Sequence, residues 1–200
     1  MNIRFYDGDT RRDIQGNWWA DSARNVVMRD DQVQWKHSNQ EIDCAHVNGV
    51  AVEDDELRFV TVLADTIDPM GWRRNTANSG KIFRADRTVV MEGLAMPHSP
   101  RVWNGDLLFC EAGRGTLNSR DRGVIAELPG FTRGLYIEGD AAYVGCSAMR
   151  YDDDFTRDLP LRHRVSNPQC GVAEVDLETG EFKFFPIEGK DEILDLTKRH

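Results

Sequence analysis

What the 200-residue sequence lacks narrows its function first. It has no run of about 18 apolar residues, so no membrane-spanning helix and no membrane partner are expected. Its start, MNIRFYDGDTRRD, has no apolar segment of a secretion signal, and the expected compartment is the cytoplasm. Positive charge is short: 25 Lys and Arg face 34 Asp and Glu, a net of −9, whereas a phosphate-backbone binder needs many cations against its ligand. Nucleic acid is therefore not an expected partner. The four cysteines, Cys44, Cys110, Cys146 and Cys170, make no CxxC pair or zinc spacing and read as reduced core thiols. Also missing are an HExxH zinc signature, a Gly-x-Ser-x-Gly elbow around Ser99 and a phosphate-cradling loop, Gly113-Arg114-Gly115 being too short. Asp152-Asp153-Asp154 lacks the glycine and closing glutamate of a calcium loop and reads as a solvated turn. A sustained helical period is absent too, with a turn or two expected only over Asp191 to Lys198.

What is present is a repeated hairpin. Trp103-Asn104-Gly105-Asp106 leads into Leu107-Leu108-Phe109-Cys110, and Ile137-Glu138-Gly139-Asp140 leads into an apolar run at an offset of 34. Leu57-Arg58-Phe59-Val60 matches Leu107 to Cys110 at an offset of 50. Second hairpins lie between them, at Lys81 to Met91, Val124 to Leu128 and Gly171 to Pro186. Paired hairpins at this period predict an all-β, β-propeller-like single domain over 1–200. An up-and-down barrel or a sandwich is the alternative architecture. About four blades are expected. Either the chain termini supply the last one, or the ring is partial and completed by homo-oligomerisation, since uncovered sheet faces and edges need a partner.

Four separated runs resemble the signatures of an uncharacterised bacterial conserved-hypothetical family with a propeller-like fold. They are Cys44-Ala45-His46-Val47-Asn48-Gly49, Gly93-Leu94-Ala95-Met96-Pro97-His98-Ser99-Pro100-Arg101, Leu128-Pro129-Gly130-Phe131-Thr132-Arg133-Gly134-Leu135 and Glu192-Ile193-Leu194-Asp195. The resemblance covers about 42–196 and implies the fold and the position of a site, but no reaction. The family has one residue fewer between the cysteine and the histidine, and its members are longer at both ends.

Equivalent first-strand residues of a propeller converge on its central channel. Through the hairpin turns His98 aligns with Thr132 and with Asn48, and His46 precedes Asn48 by two, which in a strand keeps it on the same face. His46, Asn48, His98 and Thr132 are thus expected to face one space, with Ser99, Arg101 and Arg133 alongside and Glu192 joining from the last inner strand. Pro97 and Pro100 stiffen the run carrying His98. His46, His98 and Arg133 are the candidate catalytic residues, and Asn48, Ser99, Arg101 and Thr132 the candidate substrate contacts. His46, His98 and Glu192 are candidate ligands for a divalent transition metal, because neutral imidazole suits such ions. A lyase or hydrolase acting on a small anionic molecule follows if a metal binds. A non-catalytic binding or assembly module is the alternative.

Overall fold

The computed structural model describes residues 1–5, 11–40, 42–148 and 154–197; Asp152 and Asp153 lie outside these ranges. The fold is all-β and propeller-like. β1 (Asn2–Phe5) is followed by a first four-stranded sheet, β2 (Arg11–Gln15), β3 (Trp18–Asp21), β4 (Val26–Arg29) and β5 (Gln32–Lys36). The second sheet holds β6 (Val47–Glu53), β7 (Glu56–Val62), β8 (Gly80–Arg84) and β9 (Val89–Leu94). The third holds β10 (Pro97–Trp103), β11 (Asp106–Glu111), β12 (Thr116–Ser119) and β13 (Gly123–Glu127). The fourth holds β14 (Phe131–Glu138), β15 (Ala141–Ser147), β16 (Gly171–Asp176) and β17 (Phe182–Pro186). Within each sheet the strands pair antiparallel in chain order. The last strand, β18 (Ile193–Thr197), pairs antiparallel with β1 in a separate two-stranded sheet.

The expected hairpins form because their turns accept left-handed backbone. Asn104 and Gly105 have φ of 51° and 79°, and Asp54 and Asp55 of 52° and 60°. Two consecutive left-handed residues match the twist of the flanking strands, a geometry that Asn-Gly adopts readily.

Alternation along each strand then gives every sheet two faces, and neighbouring sheets bury them against each other. Trp18, Ala20, Val27 and Trp35 of the first sheet meet Val47, Val50, Val60 and Val62 of the second. Phe59, Ile82 and Leu94 meet Leu107 and Phe109. Leu108, Leu117 and Ala126 of the third sheet meet Leu135, Val144, Ala173 and Val175 of the fourth. The innermost strands pack in a cycle, β2 on β6, β6 on β10, β10 on β14, β14 on β18 and β18 back on β2, so the ring closes through the strand nearest the C-terminus.

Two expectations need correction. Where a helical turn was expected over Asp191 to Lys198, Ile193 to Thr197 is a strand, paired with β1 and burying Ile193 and Leu196, and Lys198 lies outside the described residues. The termini do not combine into the fourth blade either. Residues 11–36 make a complete sheet alone, and the terminal strands add a fifth, two-stranded one. No helix among the described residues is long and apolar enough to cross a membrane.

Candidate functional site

Inner strands of the four complete sheets all lose regular register near their starts: between Arg12 and Gln15, Val47 and Gly49, His98 and Arg101, and Thr132 and Leu135. A bulge of this kind bends its strand and re-aims the side chains beside it. His98 and Thr132 occupy matching positions, opposite Cys110 and Cys146 respectively.

The buried ring of His98 places Nδ1 2.9 Å from the Met96 carbonyl oxygen. A carbonyl only accepts, so Nδ1 carries a proton. Across the bulge, Arg133 donates from Nε to the Ile193 carbonyl at 2.6 Å and pairs through Nη2 with the Glu192 carboxylate. His98, Arg133 and Glu192 come from β10, from β14 and from the residue before β18, and all three line one cavity of about 80 Å³. Met96, Ala112, Phe131 and Ala148 supply apolar wall, and Phe155 and Thr156 close it from the segment that follows the fourth sheet's second strand. Arg164 anchors that segment by donating from Nη2 to the carbonyls of Arg114, Gly115 and Leu128 at 2.8–2.9 Å.

Several expected members serve elsewhere. His46 is not among the cavity's lining residues. It precedes β6, has a left-handed φ of 55°, approaches the Asp43 carboxylate with Nδ1 at 2.8 Å and stacks on Trp72 with ring centroids 4.4 Å apart. Strand alternation does not extend to a residue outside the strand, and the expected shared face for His46 and Asn48 fails there. Asn48, Ser99 and Thr132 fasten sheets together. Asn48 donates to the Pro97 carbonyl at 2.9 Å and accepts from Thr61 at 2.7 Å. Ser99 Oγ accepts from the Gly134 amide at 2.9 Å, and Thr132 donates to the Thr116 carbonyl at 3.0 Å. As for the expected metal centre, no cluster of three His, Cys, Asp or Glu able to hold an ion occurs among the described residues, so His46, His98 and Glu192 do not form one. All four cysteines are buried free thiols, and burial pushes those of Cys110 and Cys146 far up.

Arg101 does not line that cavity. Its Nη2 lies 2.6 Å from Asp13 Oδ1 and 3.8 Å from Asp195 Oδ1, and both carboxylates are almost fully buried. Asp13 also accepts from the Val50 amide at 2.7 Å, and Asp195 from the amides of Ile14 and Leu196 at 3.2 and 2.8 Å. One arginine thus joins β2, β6, β10 and β18. Desolvation, followed by repulsion from Asp13, pushes the Asp195 carboxyl up to about 7. Burial also raises Asp13 despite its arginine. The nearer contact to Arg101 favours the charged form at Asp13 and leaves the proton on Asp195. Arg101 and Asp195 border a second cavity of about 570 Å³. Neither aspartate was picked out from sequence: Asp13 lies in the charged N-terminal stretch with little pattern, and Asp195 was visible only as part of a motif.

The family model described as a domain of unknown function (DUF4915) matches residues 36–197. No curated protein matches the sequence significantly. Among solved structures, a chain of the nidogen–laminin complex superposes with a TM-score of 0.56 at 12% identity, over 89% of this chain and 62% of that one. Two computationally designed proteins are also similar. Ika8 has a TM-score of 0.48 at 10% identity over 94% of this chain and 51% of its own, so this chain spans about half its length. Ika4 has 0.45 at 10% identity, over 78% and 81%.

Proposed function

The chain belongs to the DUF4915 family, and from that premise we propose that it is a small-molecule-binding module whose ligand sits in the cavity bordered by His98, Arg133 and Glu192. The observation that carries this reading is the convergence of these three ionisable side chains, from three separate parts of the ring, on one largely apolar cavity. Arg133 is already paired with Glu192, so the pocket offers a cation and an anion together and is matched by a ligand with both an acidic group and a hydrogen-bond donor. A short α-hydroxy or α-amino acid has that pattern: its carboxylate meets the guanidinium, its hydroxyl or amine meets His98 Nε2 and Glu192, and its side chain meets Phe131 and Phe155. The volume is well below the roughly 300–1,000 Å³ of sites for drug-sized ligands, which favours a molecule of a few carbons. This narrows the small anionic partner expected from sequence. The metal-dependent lyase or hydrolase reading has less support, because it draws on His46, which stacks on Trp72 outside the cavity.

Calorimetric titration with glycolate, lactate and alanine tests the proposal, using wild type, Arg133→Gln and His98→Gln. Loss of the charge-assisted contact in Arg133→Gln is expected to weaken binding by roughly 1.5–3 kcal/mol, about ten- to a hundredfold, and loss of the hydroxyl contact in His98→Gln by roughly 0.5–1.5 kcal/mol, about two- to tenfold. Binding that neither variant alters, or none of the three acids binding wild type, would remove the proposal.

A further inference from the structure

The fifth sheet is half the width of the others, with β18 innermost, β1 beside it and no third or fourth strand among the described residues. The consequence appears on its neighbour. The outermost strands of the first three sheets each bury a residue against the next sheet: Trp35 in β5, Leu94 in β9 and Ala126 in β13. The outermost strand of the fourth sheet, β17, buries none, and Phe185 on its fifth-sheet face is 51% exposed. Register defines that face as the rungs Gly145, Val172, Phe185 and Tyr136, Tyr143, Glu174, Lys183. The inner half is covered: Val172, Tyr136 and Tyr143 pack with Ile193, Leu196 and Ile3. The outermost strand is bare, and the hairpin end of the sheet is acidic: Glu138, Asp140, Glu174, Asp176 and Glu181, against Lys183 alone, border a cavity of about 550 Å³ there. The hydroxyls of Tyr136 and Tyr143 lean towards Glu138 and Glu174 at 3.3 Å.

We propose that the edge of β1, unpaired among the described residues, and this exposed, acidic part of the fourth sheet together dock a basic, extended polypeptide segment of a partner protein. It would add strands to the fifth sheet by main-chain pairing, the mode by which exposed sheet edges take peptides. Its Lys or Arg side chains would point towards the carboxylates at the hairpin end of the fourth sheet, where charge favours cations. One apolar residue would cover Phe185. A second copy of the chain carries a net charge of −9, which disfavours it at an acidic face and leaves a basic partner as the better match.

The test is fluorescence anisotropy with a labelled ten-residue peptide of alternating lysine and valine. Two controls accompany it: the alternating glutamate and valine peptide, and the lysine peptide with alternate amides N-methylated, which keeps its charge but cannot pair along one edge. Glu138→Lys/Glu174→Lys, checked for folding by circular dichroism and melting temperature, is the charge-reversed protein. The lysine peptide should bind wild type at least tenfold more tightly than either control, and the reversed protein should prefer the glutamate peptide. Equal binding of the methylated peptide would overturn the strand pairing. Unchanged preference in the reversed protein, or sedimentation showing a dimer that blocks the lysine peptide, would overturn the basic partner.

Discussion

At the scale of single residues, the most consequential group is the Asp13–Arg101–Asp195 triad at the channel. Removing the arginine leaves two buried carboxylates without their cation, and Arg101→Met should cost about 3–5 kcal/mol in denaturant unfolding. Asp195→Asn should cost far less, because it removes one side of a carboxylate repulsion. The pH dependence has a definite sign. Asp195 has a folded pKa of about 7 against an ordinary value of 3.8, so the folded state holds the extra proton between those limits. Stability contributed by that proton is fully present below about pH 4 and is lost as pH rises through about 7, a loss on the order of a few kcal/mol between about pH 4 and 7. Denaturant midpoints should fall over that range in wild type and stay nearly level in Asp195→Asn. A wild-type profile already level there would contradict the assigned proton. Arg101 was named from sequence for its nearness to His98, yet the irregular register between them leaves His98 at the cavity with Arg133 and Arg101 at a different one with Asp195. Sequence carries the residue but not the bulge, and the partners Asp13 and Asp195 are close only in space.

At the scale of the element, the closely spaced inner strands are what hold the site residues in place. A Cβ at Gly49 would lie 2.4 Å from Thr61 Oγ1 and 2.5 Å from Pro100 Cδ, so Gly49→Ala must push the second and third sheets apart. The expected cost is about 1–3 kcal/mol by chemical denaturation. Ser99→Ala orphans the Gly134 amide, a buried donor, at a similar cost of about 1–3 kcal/mol. Hydrogen exchange should then show faster opening of Gly134 than of residues in the first sheet; uniform change would show that Ser99 is no link between sheets. The repeat made these elements legible. The turns at Asn104-Gly105 and at Gly139, just after the end of β14 at Glu138, write their left-handed geometry into the residue types, and the alternating strands behind them follow. That is also how His98 and Arg133 could be placed near one another. His46 misled because the same alternation was carried one residue beyond the start of β6, and the Asp191 to Lys198 stretch misled because β-pairing with a distant strand overrode its local pattern.

At the scale of the whole molecule, closure of the ring rests on the pairing of β1 with β18, about 190 residues apart in the chain. Removing residues 1–5 should strip Ile3 from the core around Ile193 and Leu196 and lower the melting temperature by at least about 4 °C, the equivalent of roughly 1–2 kcal/mol for a domain of this size. An unchanged melting temperature would mean the ring does not depend on that sheet. The same closure brings Glu192 to Arg133 and so completes the cavity they line with His98. The most direct measurement of the functional account is therefore a crystal structure of the protein soaked in lactate. The account predicts ligand density in the cavity, with the carboxylate in hydrogen-bond reach of the Arg133 guanidinium and the hydroxyl at His98 Nε2. Density beside Arg101 instead, or an unchanged Arg133–Glu192 pair with no ligand at saturating lactate, would contradict it.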